Sequence, residues 1–335
     1  MIAQAIRKVV DGNHLSEEEM IGAFEAIMSG EATGAQIGCF LTALRLKGET
    51  EEEITGAAKV MRAKASRVDG GADAVDTCGT GGDGSGTFNI STAAALIAAG
   101  AGIKVAKHGN RAASSKCGSA DVLSSLGVKV DLEPEKVCRC LREAGIGFMF
   151  APRMHAAMKH AIGPRREIGI RTVFNILGPL TNPAGAPYQV MGVFSPHLTN
   201  QLARVLKRLG SRRAVVVHGS DGLDEITLTG PTRVTEIGED GVKDYEIHPS
   251  QFGLSTCDKN DLLGGDVERN AAIIREILDG AKGPKRDVAI INAAAALMMA
   301  GQAKNMAEGI EMAASSLDGG HAKKALEKLI AVSNA

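Results

Sequence analysis

The chain has no tryptophan, and its 335 residues include only two tyrosines and eight phenylalanines. So few flat rings leave little from which to build the stacking platforms that hold single-stranded nucleic acid. A dominant charge is missing too: 38 basic residues face 39 acidic ones, for a formal net charge of -1. That balance disfavours a nucleic-acid partner, which calls for a basic excess. No apolar run reaches the length of a membrane span, and the N-terminus has no signal-peptide pattern. No membrane association is therefore expected, and a cytoplasmic location is. The six cysteines, Cys39, Cys78, Cys117, Cys138, Cys140 and Cys257, match no zinc spacing and read as reduced thiols.

What is present is glycine, and it is concentrated. Asp76 to Ser119 reads DTCGTGGDGSGTFNISTAAALIAAGAGIKVAKHGNRAASSKCGS. A glycine-dense turn follows a short strand-like run at Ala74–Thr77 and feeds a helix at Asn89–Ala99. A second polar loop, Lys107 to Ser115, follows the strand-like run Ile103–Ala106. The first loop contains G-x-G-x-x-G literally, from Gly79 to Gly84. The acidic residue that a dinucleotide site needs about twenty positions on is absent. No Lys-Ser/Thr pair follows the last glycine, so a Walker A loop is excluded. The general physics survives: glycines let backbone N–H groups approach an anion, and a helix N-terminus adds a favourable partial charge. An ordinary glycine-rich turn or a solvated basic loop would explain either segment alone. Both at strand ends point to a phosphorylated small molecule.

His218 to Glu225, HGSDGLDE, follows the strand-like Ala214–Val217. Adjacent carboxylates at a strand end can hold hydrated magnesium, although an acidic turn is an equally ordinary fate for Asp-Gly sequences. With two anion loops nearby, the metal reading is favoured. Lys159, Arg165, Arg166 and Arg171 form a basic cluster in an irregular helical stretch over 155–180. It could supply a carboxylate-binding arginine or simply a solvated face.

The first seventy residues read as helical. Three capping boxes, Ser16 with Glu19, Thr33 with Gln36 and Thr50 with Glu53, mark helix starts. From about Val75, β and α segments alternate. The expected strands are Val128–Leu132, Gly147–Phe150, Tyr188–Phe194 and Ala214–His218, with a hairpin of Arg233–Ile237 and Val242–Ile247. Expected helices cover Ser119–Leu126, Glu133–Ala144, about His197 to Leu209, and the tail from Asp266. This predicts an α/β fold: a small helical N-terminal domain over 1–70, and a larger α/β domain over 71–335 with a mostly parallel central sheet. Helices from about 160–185 are expected to pack on the small domain.

Five motifs in order carry a resemblance over nearly the whole chain. They are the helical start, GTGGDGSGTFNIST at 79–92, KHGNRAASSKCGSAD at 107–121, FAPRMHAAMKHAIGPRREIGIRTVFNILGPLTNP at 150–183, and HGSDGLDEI at 218–226. Together they resemble the anthranilate phosphoribosyltransferase family, whose fold is of the nucleoside phosphorylase/phosphoribosyltransferase kind. The resemblance implies a glycosyltransferase of tryptophan biosynthesis. It would move the 5-phosphoribosyl group of phosphoribosyl diphosphate (PRPP) to the amine of anthranilate and release pyrophosphate. It implies a homodimer, magnesium with two ions per subunit, and a possible association with anthranilate synthase. Gly79, Gly82, Asp83, Thr87, Asn89, Ile90, Ser91 and Thr92 would hold the diphosphate. Lys107, His108, Gly109, Asn110, Arg111, Ala112, Ala113, Ser114, Ser115 and Ser119 would line the rest of the PRPP site. Ser91, Asp224 and Glu225 would be the metal ligands. Gly79, Asn110 and Arg165 would contact anthranilate, with His108, His155 and Gly178 along its channel. No general base is assigned; His108 is a candidate catalytic residue. A pyrimidine-nucleoside phosphorylase and a non-catalytic nucleic-acid-binding relative share the scaffold. The Asp224-Glu225 pair and the KHGNRAASS loop disfavour the former, the charge balance the latter.

Overall fold

The computed structural model describes residues 2–112 and 116–335. Its helical start follows from the capping residues. Helix α1 (Ile2–Val10) leads into α2 (Glu17–Met28), α3 (Gly34–Lys47) and α4 (Glu51–Ala63). Ser16, Thr33 and Thr50 each close a reciprocal box with the residue three positions on, satisfying amide donors that a helix end leaves free. The third box is tied into the core. Glu53 is fully buried and accepts from Thr50 N (2.8 Å), Leu15 N (2.8 Å) and the Lys47 ammonium (2.8 Å), so one carboxylate joins α3, α4 and the α1–α2 turn.

The alternating half begins with β1 (Val75–Gly79), α5 (Ile90–Gly100), β2 (Val105–Gly109), α6 (Ser119–Ser125), α7 (Pro134–Ala144) and β3 (Ile146–Phe150). Short helices α8 (Ala151–Met154), α9 (Lys159–Ile168) and α10 (Phe174–Leu177) lead to β4 (Tyr188–Gly192), α11 (Leu198–Arg208), β5 (Arg213–Gly219), β6 (Thr232–Gly238) and β7 (Gly241–Ile247). Helices α12 (Val267–Leu278), α13 (Pro284–Met299), α14 (Met306–Asp318) and α15 (His321–Asn334) complete the chain. The seven strands form one sheet in the order β3-β2-β1-β4-β5-β6-β7. The first five are mutually parallel, and the β6–β7 hairpin runs antiparallel.

Both faces of the sheet are covered, as the apolar runs require. The alternation along β5 divides it between two cores: Val215 and Val217 face one, Ala214 and Val216 the other. The first core is roofed by α5, α7 and α12–α15. In it the alanines of α5 and Ala293–Ala296 of α13 are nearly inaccessible to solvent, small side chains that let helices approach closely. The second core joins α1–α4 with Ala161, Val173, Phe174, Ile176, Leu177 and Leu180, and with α11. Arg62 crosses between layers, donating to the carbonyls of Leu180 (2.7 Å) and Leu209 (3.0 Å).

Two expectations need correction. Val128–Leu132 is not a strand. Its alternate residues Val128, Val130 and Leu132 are buried, which produces a strand-like pattern, but the segment pairs with no strand. Lys129 N instead donates to Ser333 Oγ at 3.1 Å on α15. Secondly, Lys107, His108 and Gly109 belong to β2 rather than to the loop after it, pairing with Phe148, Met149 and Phe150 of β3. The strand-like run is polar at its end because that end enters the site.

Replacing Glu53 by alanine is expected to lower the unfolding free energy by about 3–5 kcal/mol, since it removes the counter-charge of the buried Lys47 ammonium and leaves two backbone donors unpaired. Urea unfolding checks this. A loss below about 1 kcal/mol would show that the pair contributes no more than a surface ion pair.

Candidate active site

The strand order reverses direction at β1 and β4. From β1 the chain winds outward through β2 and β3, and from β4 outward through β5. Ligands of open parallel sheets gather beyond the strand ends at such a point. The last residues of the two strands, Gly79 and Gly192, pair with one another. Both lie against Asp224: a Cβ on Gly192 would sit 1.5 Å from the Asp224 carbonyl oxygen, and one on Gly79 2.3 Å from its carboxylate. Glycine at both positions is what lets the Asp224-Glu225 turn cross the strand ends.

The glycine loop leaves β1 here with positive φ at Gly81, Gly82, Gly84 and Gly86. Gly81 N donates to Asp224 Oδ2 (2.7 Å), and Ser91 N, at the start of α5, donates to Glu225 Oε1 (3.1 Å). Asp83 accepts from Ser85 within the loop. The far end is stitched to the segment before α12: Phe88 N donates to Leu262 O (3.1 Å) and Gly264 N to Gly86 O (3.0 Å), with Thr87 bridging Leu263. Asn89 stands just before α5, and its Nδ2 donates to Cys117 O (3.3 Å), tying the first loop to the second. Ile90 and Thr92 are buried at the head of α5.

Lys107 projects from β2 beneath the loop. Its buried ammonium donates to the carbonyl of Thr77 and to Ser91 Oγ (3.2 Å). The second loop is shaped by Asp121 on α6. That carboxylate accepts from Arg111 Nη1 (2.8 Å), Ala112 N (2.9 Å) and Gly118 N (3.0 Å). Asn110 O accepts from Ala120 N (3.1 Å) and Ser119 Oγ (3.3 Å). The expected contacts Ala113, Ser114 and Ser115 lie outside the described residues.

Beside the loops opens a cleft of about 750 Å³ between α9–α10 and the end of β2. Its walls include His108, Asn110, His155, Arg165, Gly178 and Phe174, the last with the Arg165 guanidinium 4.7 Å above its ring centre. The structure thus brings Asn110 and Arg165 into one cavity. Gly79 is not in its wall and faces the Asp224 turn instead.

Four residues in the site went unassigned in the sequence. Asp121 carried a readable sign: an acidic residue in the first turn of a helix, three positions after the cap. Arg171, noted only as part of the basic cluster, donates to Gly82 O (2.7 Å) and lies over the ring of Phe194. Asp76 and Asn182 are both buried and gave no local sign. Asp76 accepts from His108 N (3.2 Å) and Asn182 Nδ2 (2.8 Å), and Asn182 also donates to Ala106 O (2.8 Å).

Burial sets the electrostatics. Desolvation raises Asp224 well above the ordinary carboxyl range, with repulsion from Glu225 and Asp83 adding to it. Desolvation likewise raises Glu225 to about 7, partly offset by Lys107. Burial lowers Lys107, against which Asp76, Glu225 and Asp224 act as counter-charges. Burial also drives His108 down to about 3 and His155 to about 4. The two rings lie 5.1 Å apart. With Nδ1 of neutral His108 donating to Gly178 O at 3.2 Å, its Nε2 keeps an open lone pair, and it has no hydrogen-bond partner among the described residues.

A helical bundle beside a mostly parallel sheet with a glycine loop at its switch point is the arrangement of a glycosyl transferase family, and the family models match both parts. The helical bundle domain of a glycosyl transferase family matches residues 3–65, and that family's a/b domain matches residues 71–323. The anthranilate phosphoribosyltransferase of Geobacter sp. (strain M21) is 56% identical, with 100% of this chain and 99% of that protein aligned. The crystal structure of the enzyme of the same name from Thermus thermophilus superposes with a TM-score of 0.94 at 44% identity, over 99% of each chain. The Saccharomyces cerevisiae enzyme in complex with PRPP and Mg gives 0.92 at 30% identity, over 99% of this chain and 98% of that one. The chain belongs to the anthranilate phosphoribosyltransferase family.

Acid should weaken this site. In the unfolded chain a histidine binds its proton below about pH 6.5, whereas the buried rings stay neutral to far lower pH. Stability is therefore lost as pH falls from 6.5, by about 2 kcal/mol per ring at pH 5. His155→Gln should remove one ring's share of the difference between urea unfolding at pH 7 and pH 5. An unchanged difference would show that His155 is not buried neutral.

Proposed function

We propose that this protein transfers the 5-phosphoribosyl group of PRPP to the amine of anthranilate, giving N-(5-phosphoribosyl)anthranilate and pyrophosphate, in tryptophan biosynthesis. The observation that carries this reading is the junction of two unlike spaces. A cation-floored, glycine-walled seam at the β1/β4 switch point opens beside an apolar-sided cleft holding Asn110 and Arg165. The seam suits a diphosphate. The cleft suits a flat ring bearing one carboxylate, which a guanidinium binds through paired hydrogen bonds.

Gly79, Gly82, Asp83 and Thr87, with the head of α5 from Asn89 to Thr92, form the diphosphate side. Lys107 to Ala112 and Ser119 form the ribose-phosphate side. Magnesium takes one or two protein carboxylates, keeps several waters and shares phosphate oxygens. Asp224 and Glu225 are hard oxygen donors with 9% exposure each, so two buried carboxyls whose charged forms repel stand together where a cation would be matched. These two carboxylates and the Ser91 hydroxyl would hold the magnesium, which we place at two ions per subunit. Bound there, it would neutralise the charge of the departing pyrophosphate.

The chain's own residues do the rest. The arylamine is neutral at pH 7 and attacks C1 of the ribose as the C1–O bond to pyrophosphate breaks, with inversion. Holding amine and carbon in line supplies a large part of the rate enhancement. Lys107 and the loop amides face the oxygens on which charge develops. The attacking nitrogen then loses a proton, for which neutral His108 with its open Nε2 is our candidate acceptor. The PRPP and Mg bound by the yeast relative support the donor side of this reading. We further infer a cytoplasmic homodimer joined through the helical layer, supported by the exposed apolar Leu46 (83%) and Val10 (60%) on α3 and α1. No helix among the described residues is long and apolar enough to cross a membrane.

Anthranilate fluorescence should fall with PRPP and Mg²⁺, release equimolar pyrophosphate, and stay constant with EDTA. Arg165→Ala should raise the KM for anthranilate about tenfold to a hundredfold, the value of a lost charge-assisted hydrogen bond, and leave the KM for PRPP nearly unchanged. Phosphorolysis of a nucleoside with no loss of anthranilate would overturn the assignment.

A further inference from the structure

The turn that presents Asp224 and Glu225 is held from behind by a side chain of a distant helix. Ile226 directly follows Glu225. Its N–H donates to Asn292 Oδ1 at 3.0 Å, and its carbonyl accepts from Asn292 Nδ2 at 2.9 Å. The remaining amide hydrogen of Asn292 goes to Val288 O at 2.9 Å, one turn earlier in α13. Asn292 is 2% exposed, so its carboxamide acts as a one-residue strand edge inside the core. On the opposite side the main chain of Asp224 rests on Gly192, which leaves no space for a Cβ. Upstream, Asp221 closes the loop on itself by accepting from Leu223 N (3.1 Å), Thr227 Oγ1 (2.8 Å) and Thr229 Oγ1 (2.8 Å).

Two adjacent carboxylates repel each other, and a flexible backbone would let them turn apart. The two-bond clamp at Ile226 removes that freedom at the residue next to Glu225, while Gly192 limits movement at Asp224. We propose that Asn292 is a positioning residue for the metal site, fixing the Asp224-Glu225 turn against Gly192 so that both carboxylates face the glycine loop. This rests on the reading that these two carboxylates hold magnesium. Outer partners that orient metal ligands typically govern metal affinity by about ten- to a hundredfold.

The test is Mn²⁺ binding, followed by electron paramagnetic resonance in the presence of PRPP, with Mn²⁺ as the probe for the magnesium site. Asn292→Ala should weaken Mn²⁺ binding about tenfold or more. Asn292→Asp keeps the acceptor for Ile226 N–H but loses the donor to its carbonyl, and should fall between the two. Gly192→Ala should weaken binding from the other side of the turn. Ser316→Ala serves as the control for general loosening. Ser316 is buried, bonds to Ile97 O at 2.8 Å, and lies between α14 and α5 in the same core. If Asn292→Ala fails to fold, Asn292→Asp and Gly192→Ala carry the decision. Binding within twofold of the parent in these variants, or an equal loss in Ser316→Ala, would overturn the proposal. The Asp224→Ala/Glu225→Ala double variant separates the two layers. If it loses Mn²⁺ while the Asn292 variants do not, only the positioning role fails. If it binds as the parent does, the ligand reading fails and the proposal fails with it.

Discussion

A buried ammonium beneath a pair of buried carboxylates is the interaction around which this protein is arranged. Lys107, Asp76, Asp224 and Glu225 are all withdrawn from water along the ends of three neighbouring strands. Each would be costly to bury alone, because an unpaired charge loses its hydration without return. Set together, one ammonium faces three carboxyls, an arrangement that needs strands β1 and β2 and the β5–β6 connection in register and leaves room for a further cation. The parallel pairing of β1 with β2 and β4 supplies that register. Within this arrangement Lys107 hydrogen-bonds the Thr77 carbonyl and Ser91 Oγ.

The same seam links the sheet to the helical layer. Asp76 is bonded to Asn182, and Asn182 to Ala106 O and Ala184 N, so the segment after α10 is anchored to the two strands that carry Lys107 and the glycine loop. Gln189 on β4 adds a bond to Pro179 O (2.7 Å). The wall of the cleft that carries Gly178 and Thr181 is therefore fixed by the buried polar residues beside Lys107 and the glycine loop. Arg62 then transmits that position to α4 through Leu180.

How much of this was legible depends on the range of the interaction. The capping boxes were readable because donor and acceptor lie three residues apart, and all three formed. The two loops were readable because glycine and clustered donors at a strand end are local signals. The membership of Lys107 and His108 in β2 was hidden, because a lysine and a histidine read as loop unless their burial is known. Val128–Leu132 misled in the opposite way. Its alternation records burial on one side of an extended connection, and period two alone does not supply a hydrogen-bonding neighbour. Asp76, Asn182 and Asn292 bond across 32 to 106 residues. No pattern within a window of sequence encodes such pairs.

The division of labour between the two halves of the site follows from how each is held. Along the seam at the β1/β4 switch point, main-chain amides, glycines and strand ends line the space, and their positions are determined by sheet register and by clamps such as Asp121 on the second loop. On the cleft side, the contacts come from side chains on short, interrupted helices, with Arg165 steadied by stacking on Phe174. Backbone donors recognise a phosphate whatever it is attached to, so the first half suits a donor group common to many reactions. Side chains on short helices can change one at a time without disturbing a sheet, so the second half is where a choice of acceptor can be written. The costly buried charges thus lie in the half held by sheet register, and the choice of acceptor falls to side chains on short helices.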